Sequence, residues 1–339
     1  MIKLAHYKLM GMKVSPYTMK VLSYLKYKDI SWEWFPRNMR TEKTFQQNAK
    51  VQLIPMLFLS DGSAMQDSTP IIEYLEVEHP DPSIYPDDPA LRFLAALLEE
   101  FGDEWCNKLM FFQRWFAKAD QIATGRRIAG AMLEGQWFAR VAQPVMARFI
   151  VHRMISRLSF AGANETNMPH LQRSFESVVA KLNTHLATRS YLLGGRPSFG
   201  DFAVWGNLYQ ALTDPTAGSY MNKNTRHLVA WIERMLEPDE DGPFETVETL
   251  APTLRPLLVA DIAQRFLKWS VANDKAWKAK EEQTILEIDG APYIQRTFKY
   301  HSFSLEELRR KYELVSDKTV LKALLKETGC LKQLEAGRA

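Results

Sequence analysis

An α/β domain, then an all-α domain, then an α+β C-terminal extension is the fold class that this sequence predicts. Three observations predict it. Up to His79 the chain alternates strand-like and helix-like runs. Pro80, Pro82, Pro86 and Pro89 then crowd into one short stretch, which cannot continue a helix and marks a linker. Beyond them residues 90–230 carry helical periodicity alone, and Asp289-Gly290 in the tail sits between two apolar runs as a hairpin turn would. At 339 residues the chain exceeds one typical compact domain. The division read from it is residues 1–82, 90–250 and 251–339.

Each element follows from local pattern. Residues 2–9 form an apolar, strand-like run. Residues 18–28 place Thr18, Val21, Leu22 and Leu25 on one helical face, and Ser15-Pro16 ahead of them is a good N-cap followed by a proline tolerated in the first turn. The aromatic run 31–35 reads as a second strand. Residues 41–50 are polar and read as a short helix or a loop. Residues 56–59 and 63–66 flank Asp61-Gly62, a tight hairpin. Residues 67–78 make a helix with Ile71, Ile72 and Leu75 inward. The order β-α-β-(α)-β-β-α is a small α/β unit.

In the helical region, Leu91, Leu94, Leu97, Leu98 and Phe101 share a face, as do Leu171, Phe175, Val178, Leu182 and Leu186; Phe202, Trp205 and Leu208 begin another. The tail is read as a helix over 257–277, a hairpin over 284–288 and 293–300, a helix opened by Ser304 through its capping-box spacing to Glu307, and a last helix over 318–326 with Gly329 beyond it.

Composition narrows the function classes. Hydrophobic residues at 46% and charged residues at 24% argue against disorder, and a formal charge of +3 gives no whole-chain case for nucleic acid. Two distant cysteines, Cys106 and Cys330, make neither a disulfide framework nor a cysteine zinc site. The seven histidines form no metal-binding spacing, and no glycine-rich phosphate loop is present. No apolar run reaches the ~18 residues of a membrane span, and the N-terminal residues lack the apolar core of a signal peptide, so a cytoplasmic protein is expected.

Three short motifs carry chemistry. Ser15-Pro16-Tyr17 puts a hydroxyl beside free backbone N–H groups and the positive end of a helix dipole, a place that stabilises an anion, a thiolate included. Ile54-Pro55 precedes the third strand. Gln66-Asp67-Ser68 ends the hairpin and opens the next helix, where Ser68 and backbone N–H groups suit a carboxylate and Asp67 an ammonium.

In this order the three motifs resemble the thioredoxin-like domain of the cytosolic glutathione S-transferase superfamily. A further segment, Tyr191-Leu192-Leu193-Gly194-Gly195-Arg196-Pro197-Ser198-Phe199-Gly200-Asp201, resembles that family's Leu-Leu-Gly…Pro-Ser-x-Ala-Asp capping segment, with Gly200 where alanine is usual. The resemblance covers about two thirds of the chain and leaves the tail outside, as in long bacterial members. It implies a cis Ile54–Pro55 bond, with Ile54 offering its backbone to the cysteinyl part of glutathione. It also implies Asp67 and Ser68 on the γ-glutamyl group, a homodimer, and glutathione as co-substrate. Asn48-Ala49-Lys50-Val51-Gln52 replaces the family's usual approach to the Ile-Pro step, and residues 9–14 read as a lengthened loop ahead of Ser15.

The function implied is a glutathione transferase in which Ser15 stabilises the thiolate for attack on a small hydrophobic electrophile. Tyr7 is the rival for that role, since some classes use a tyrosine near the end of the first strand. Plain capping is the alternative for Ser15, Asp67 and Ser68. Serine, unlike cysteine, cannot form a mixed disulfide, which disfavours thiol exchange. Trp105, Phe111, Phe112, Trp115 and Phe116 read as core rather than pocket lining. Arg114, Arg126, Arg127, Arg140, Arg148, Arg153 and Arg157 read as a solvated face. The competing class is a non-catalytic binding or scaffold protein on the same fold.

Overall fold

The structure is a computed structural model that describes residues 7–337. Its sheet has the order β2-β1-β3-β4. Strand β1 (Tyr7–Gly11) pairs parallel with β2 (Trp32–Pro36) and antiparallel with β3 (Met56–Phe58), which pairs antiparallel with β4 (Ala64–Gln66) across the Asp61-Gly62 turn. Helix α1 (Pro16–Tyr27) joins β1 to β2, α2 (Glu42–Asn48) follows β2, and α3 (Ser68–Glu78) follows β4. Alternation along β1 sorts the two faces. Leu9 enters the main core beneath α1 and α3, whereas Met10 packs with Phe45 of α2 and Met56 on the other side. The expected strand over 2–9 is found from Tyr7 onward. Its residues 2–6 lie outside the described residues, and the strand runs on to Gly11.

After the prolines, α4 (Pro89–Glu100), a π-helical stretch (Phe101–Cys106) and α5 (Asn107–Phe116) follow head to tail. Gly102 in that stretch lies against α9 (Phe199–Thr213), and a Cβ there would come within 2.6 Å of the Val204 nitrogen. Helices α6 (Lys118–Met132) and α7 (Ala139–Ile155) pair as a hairpin, and α8 (Met168–His185), α10 (Pro215–Asn224) and α11 (Arg226–Arg234) complete the helical part. Trp105, Phe112 and Trp115 are buried as expected of core residues, while Phe116 is exposed.

Helix α9 is the spine. It is buried along most of its length and starts at a capping box in which the Asp201 carboxylate accepts from Ser198 N–H at 2.9 Å and Ser198 hydroxyl at 2.7 Å. The other oxygen of Asp201 accepts from Leu192 N–H at 2.8 Å and Trp231 Nε1 at 3.1 Å. Gly200 has a local reason. A Cβ at that position would sit 2.6 Å from Leu98 Cβ, so α4 can approach only because alanine is absent.

Helix α12 (Val247–Leu257) runs across the expected boundary at 250, and a second π-helical stretch (Leu258–Leu267) and α13 (Lys268–Lys278) continue from it. The hairpin β5 (Gln283–Ile288) and β6 (Ala291–Arg296) follows. Then come α14 (Lys299–Glu313), α15 (Thr319–Thr328), closed by left-handed Gly329, and α16 (Cys330–Glu335). Two expectations are corrected here. The second hairpin strand ends at Arg296, and Tyr300 belongs to α14. Ser304 does not open a helix; it lies inside α14 and donates to Glu100 of α4.

The extension shares one continuous apolar core with the rest. Ile262, Phe266, Trp269, Tyr293 and Leu325 belong to the same cluster as Leu97 and Trp205. Asn167 acts as a strand partner for β6, donating to the Ile294 carbonyl at 2.7 Å and accepting from Ile294 N–H at 2.9 Å. This side chain satisfies backbone groups that a free sheet edge would expose. No described helix is long and apolar enough to cross a membrane.

Candidate functional site

Ser15 stands between β1 and α1. Because β1 extends to Gly11, the expected long loop shrinks to one turn, Met12 to Ser15, closed by Ser15 N–H donating to the Met12 carbonyl at 2.9 Å. The Ser15 side chain is half-buried and its Oγ accepts from Thr18 N–H at 3.3 Å. That bond occupies a lone pair and leaves the hydroxyl proton free to donate.

The turn is pinned from the helical part. Arg114 Nη1 donates to the Val14 carbonyl at 2.9 Å and Gln210 Nε2 to the Lys13 carbonyl at 2.8 Å. Arg114 is in turn held by Asp214 through Nε at 2.8 Å and by the Gln210 amide oxygen at 2.7 Å. Arg114 is therefore a buried strut rather than part of a solvated face, and Arg127 also reaches Asp214. Beneath the start of α1, a Cβ on Gly206 would meet the Pro16 carbonyl oxygen at 2.6 Å, so this glycine lets α1 seat on α9.

The Ile54–Pro55 peptide is cis. Pro55 is buried, and Ile54 is half-buried just outside the ladder, which begins at Met56 opposite Gln66. The unusual approach from Asn48 to Gln52 is held by Gln66. Its amide oxygen accepts from Lys50 N–H at 2.8 Å, and its nitrogen donates to the carbonyls of Val51 at 2.9 Å and Leu53 at 2.8 Å. Residue 67 follows with a positive φ of 80°, the Asp67 carboxylate accepting from Thr69 N–H at 3.4 Å. Ser68 is fully buried at the head of α3, and its hydroxyl has no partner among the described residues.

A charged cluster that sequence reading missed lies alongside. Lys20, 1% exposed, donates to Glu99 at 2.7 Å, Asp103 at 2.7 Å and the Thr69 hydroxyl at 3.1 Å. Burial pushes the Asp103 carboxyl up to about 7 although Lys20 opposes the shift. Tyr17 hydroxyl donates to the Asp103 carbonyl at 3.0 Å, and burial raises its pKa. The extension reaches this edge through His301, which contacts Glu104, and through Lys311, 3.4 Å from Glu73 of α3.

Tyr7 is elsewhere. It starts β1, whereas Ser15 follows the far end of that strand, a run of about 13 Å at ~3.3 Å per residue. Its hydroxyl pairs with His79 Nε2 at 3.0 Å at the C-terminal end of α3. Thus the structure brings Ser15, Ile54, Pro55, Asp67 and Ser68 to the same end of the sheet and leaves Tyr7 at the other. The clue to Lys20 was a lysine amid apolar residues of α1. Arg114 and Gln210 gave no local clue, since their partners are distant in sequence.

A cis-proline turn and two helix N-termini at one end of a four-stranded sheet, docked on a helical bundle, define a two-domain thioredoxin-like protein. Residues 9–83 match the model of the glutathione S-transferase N-terminal domain and residues 136–234 that of its C-terminal domain, together about half of the chain. The chain belongs to the glutathione S-transferase superfamily.

Among curated relatives, it is 30% identical over 134 residues to a probable glutathione S-transferase of Nicotiana tabacum, covering 39% of this chain and 58% of that protein. It is 26% identical over 133 residues to one of Solanum tuberosum, covering 39% and 60%. The chain thus spans at most about three fifths of the length of these relatives. Similar solved structures include the β-etherase LigF of Sphingobium sp. strain SYK-6, at 20% identity and TM-score 0.48 over 68% of this chain and 94% of that one. A Tau-class glutathione S-transferase of Mangifera indica aligns at 19% identity and TM-score 0.42 over 74% and 98%.

Proposed function

We propose that this protein is a glutathione transferase. Glutathione would lie along the end of the sheet, its γ-glutamyl carboxylate at Ser68 and the head of α3, its ammonium at Asp67, its cysteinyl backbone against Ile54 and its sulfur at Ser15. The observation that carries this reading is the buried, unpartnered Ser68 hydroxyl at a helix N-terminus. A buried hydroxyl without a partner costs about 1–3 kcal/mol, and a bound carboxylate would supply one.

The chemistry asked of Ser15 is modest. A free thiol titrates near ~8.5, and a helix N-terminus with a hydrogen-bond donor lowers this toward ~7 or below. Ser15 accepts from Thr18 N–H and donates its own proton to the sulfur, so it stabilises the thiolate and stays protonated throughout. The thiolate then attacks a hydrophobic electrophile held between the sheet end and the helical part. The leaving group departs with the electron pair of the bond that breaks. Association as a homodimer is part of the proposal, and sedimentation velocity tests it.

Ser15→Ala is the test. Losing one hydrogen bond to an anion costs about 1.5–3 kcal/mol, so turnover should fall about 10–100-fold while glutathione affinity, read by calorimetry, is retained. The thiolate absorbance band of bound glutathione should move to higher pH in parallel. Unchanged turnover with glutathione bound refutes the role of Ser15. Failure of the unmodified chain to be retained on immobilised glutathione favours a scaffold on this fold.

A further inference from the structure

One face of the protein is unlike the rest, and the glutathione site does not use it. Helix α7 and the turn before it expose Trp137 at 94%, Val141 at 81%, Val145 at 69% and Phe149 at 64%. The spacing of 141, 145 and 149 puts these side chains in one stripe, since residues four apart lie one above another on a helix. The opposite side of α7 packs on α6 through Ala147 and Ile150. The stripe is therefore a surplus apolar face and not a misplaced core.

Its charges are one-sided. Between Glu134 and Glu165 the chain has no acidic residue and no lysine, but it has Arg140, Arg148, Arg153 and Arg157. All four are exposed, and none of their guanidinium groups pairs with a carboxylate among the described residues. By helical angle, Arg148 borders the apolar stripe beside Val141 and Arg153 borders it beside Phe149, with Arg140 farther round on the Arg148 side. Long arginine stems can cover apolar surface while their heads stay in water. From Val141 to Phe149 the stripe is about 12 Å long at ~1.5 Å per residue, with Trp137 in the turn ahead of it.

We propose that this face seats the protein on anionic lipid bilayers, with Trp137, Val141, Val145 and Phe149 inserted at the headgroup level and the arginines on lipid phosphates. An apolar stripe with aromatic residues, edged by cations and carrying no acid, is the composition of helices that lie in the membrane interface. Two copies of the chain meeting through this face would set arginine against arginine with no acid between them, which disfavours a symmetric dimer there. The seat does not depend on glutathione chemistry.

Vesicle co-sedimentation of the full chain tests it. Vesicles of phosphatidylcholine with phosphatidylglycerol should retain the protein, vesicles of phosphatidylcholine alone should retain little, and salt should release it. Each arginine near an anionic surface contributes about five-fold, so Arg148→Glu with Arg153→Glu should weaken partitioning at least tenfold. Trp137→Ala with Phe149→Ala, which keeps every charge, should also weaken it. Both variants alter exposed side chains and should keep the melting temperature and retention on immobilised glutathione. No binding to anionic vesicles overturns the proposal, as does binding that neither variant weakens. Self-association abolished by the apolar variant, without lipid binding, would assign the face to a second copy and overturn it too.

Discussion

Replacing Lys20 by methionine tests how the charged cluster beside the site is held. Lys20 is 1% exposed and contacts Glu99 and Asp103 at 2.7 Å each. Methionine preserves the packing of the stem and removes the charge, leaving two carboxylates facing each other in a buried place. Breaking a buried pair by removing one partner costs about 3–5 kcal/mol, which in a protein of this size lowers Tm on the order of 10 °C.

The pH dependence distinguishes this cause from simple loss of packing. Asp103 titrates at about 7 in the folded protein, against ~3.9 unfolded, because burial disfavours its charge. A raised acid is protonated in both states below about pH 3, and the stability it contributes is lost as pH climbs from about 4 through 7. Without Lys20 the folded pKa moves higher still, and the loss continues to more alkaline pH. The variant should therefore trail the unmodified protein most above about pH 8 and least near pH 5. Urea unfolding at the two pH values checks this, and adding Asp103→Asn should restore part of the alkaline deficit. A deficit equal at both pH values, or smaller than about 1 kcal/mol, refutes the electrostatic account.

Three other substitutions probe the supports of the site. Gly206→Ala places a Cβ 2.6 Å from the Pro16 oxygen and should push the start of α1 off α9; a loss of about 1–3 kcal/mol in melting experiments, with turnover falling further than Gly102→Ala at similar stability, would show that Ser15 moved. Arg114→Ala frees the turn ahead of Ser15 and leaves Asp214 without its buried partner, so both stability and turnover should drop, whereas Ser15→Ala should cost turnover and only the ~1 kcal/mol of its cap on α1. Asp201→Ala orphans four buried donors and should cost about 3 kcal/mol or more, read by denaturant unfolding, and is expected to outrank any other single capping change in the chain.

What the sequence disclosed and what it hid follow one physical rule. Features encoded by neighbours in the chain were legible. Asp61-Gly62 makes its hairpin, Ser15-Pro16 starts α1, and Ser198 with Asp201 caps α9, because each signal and its partner lie within a few residues. Ser304-x-x-Glu307 shows the rule failing. The same spacing that caps a helix elsewhere is spent here on a contact with Glu100, more than two hundred positions away, and α14 runs straight through it. Arg114 was read as solvated for the same reason, since Val14, Gln210 and Asp214 are each about a hundred positions distant and only the fold brings them together.

The residues proposed to face glutathione were legible in the sequence, and their supports were hidden. Ser15, Ile54, Pro55, Asp67 and Ser68 sit at turns and helix starts, where chemistry depends on local backbone geometry. Lys20, Gln66, Arg114, Gly206 and Gln210 hold those turns by reaching across elements, and a lysine or glutamine gives no sign of its partner until the partner is placed. Arg148 and Arg153 are the inverse case. The same residue type as Arg114, in the same helical region, stays exposed with no carboxylate paired to it among the described residues, so the fold alone separates a strut from a surface charge.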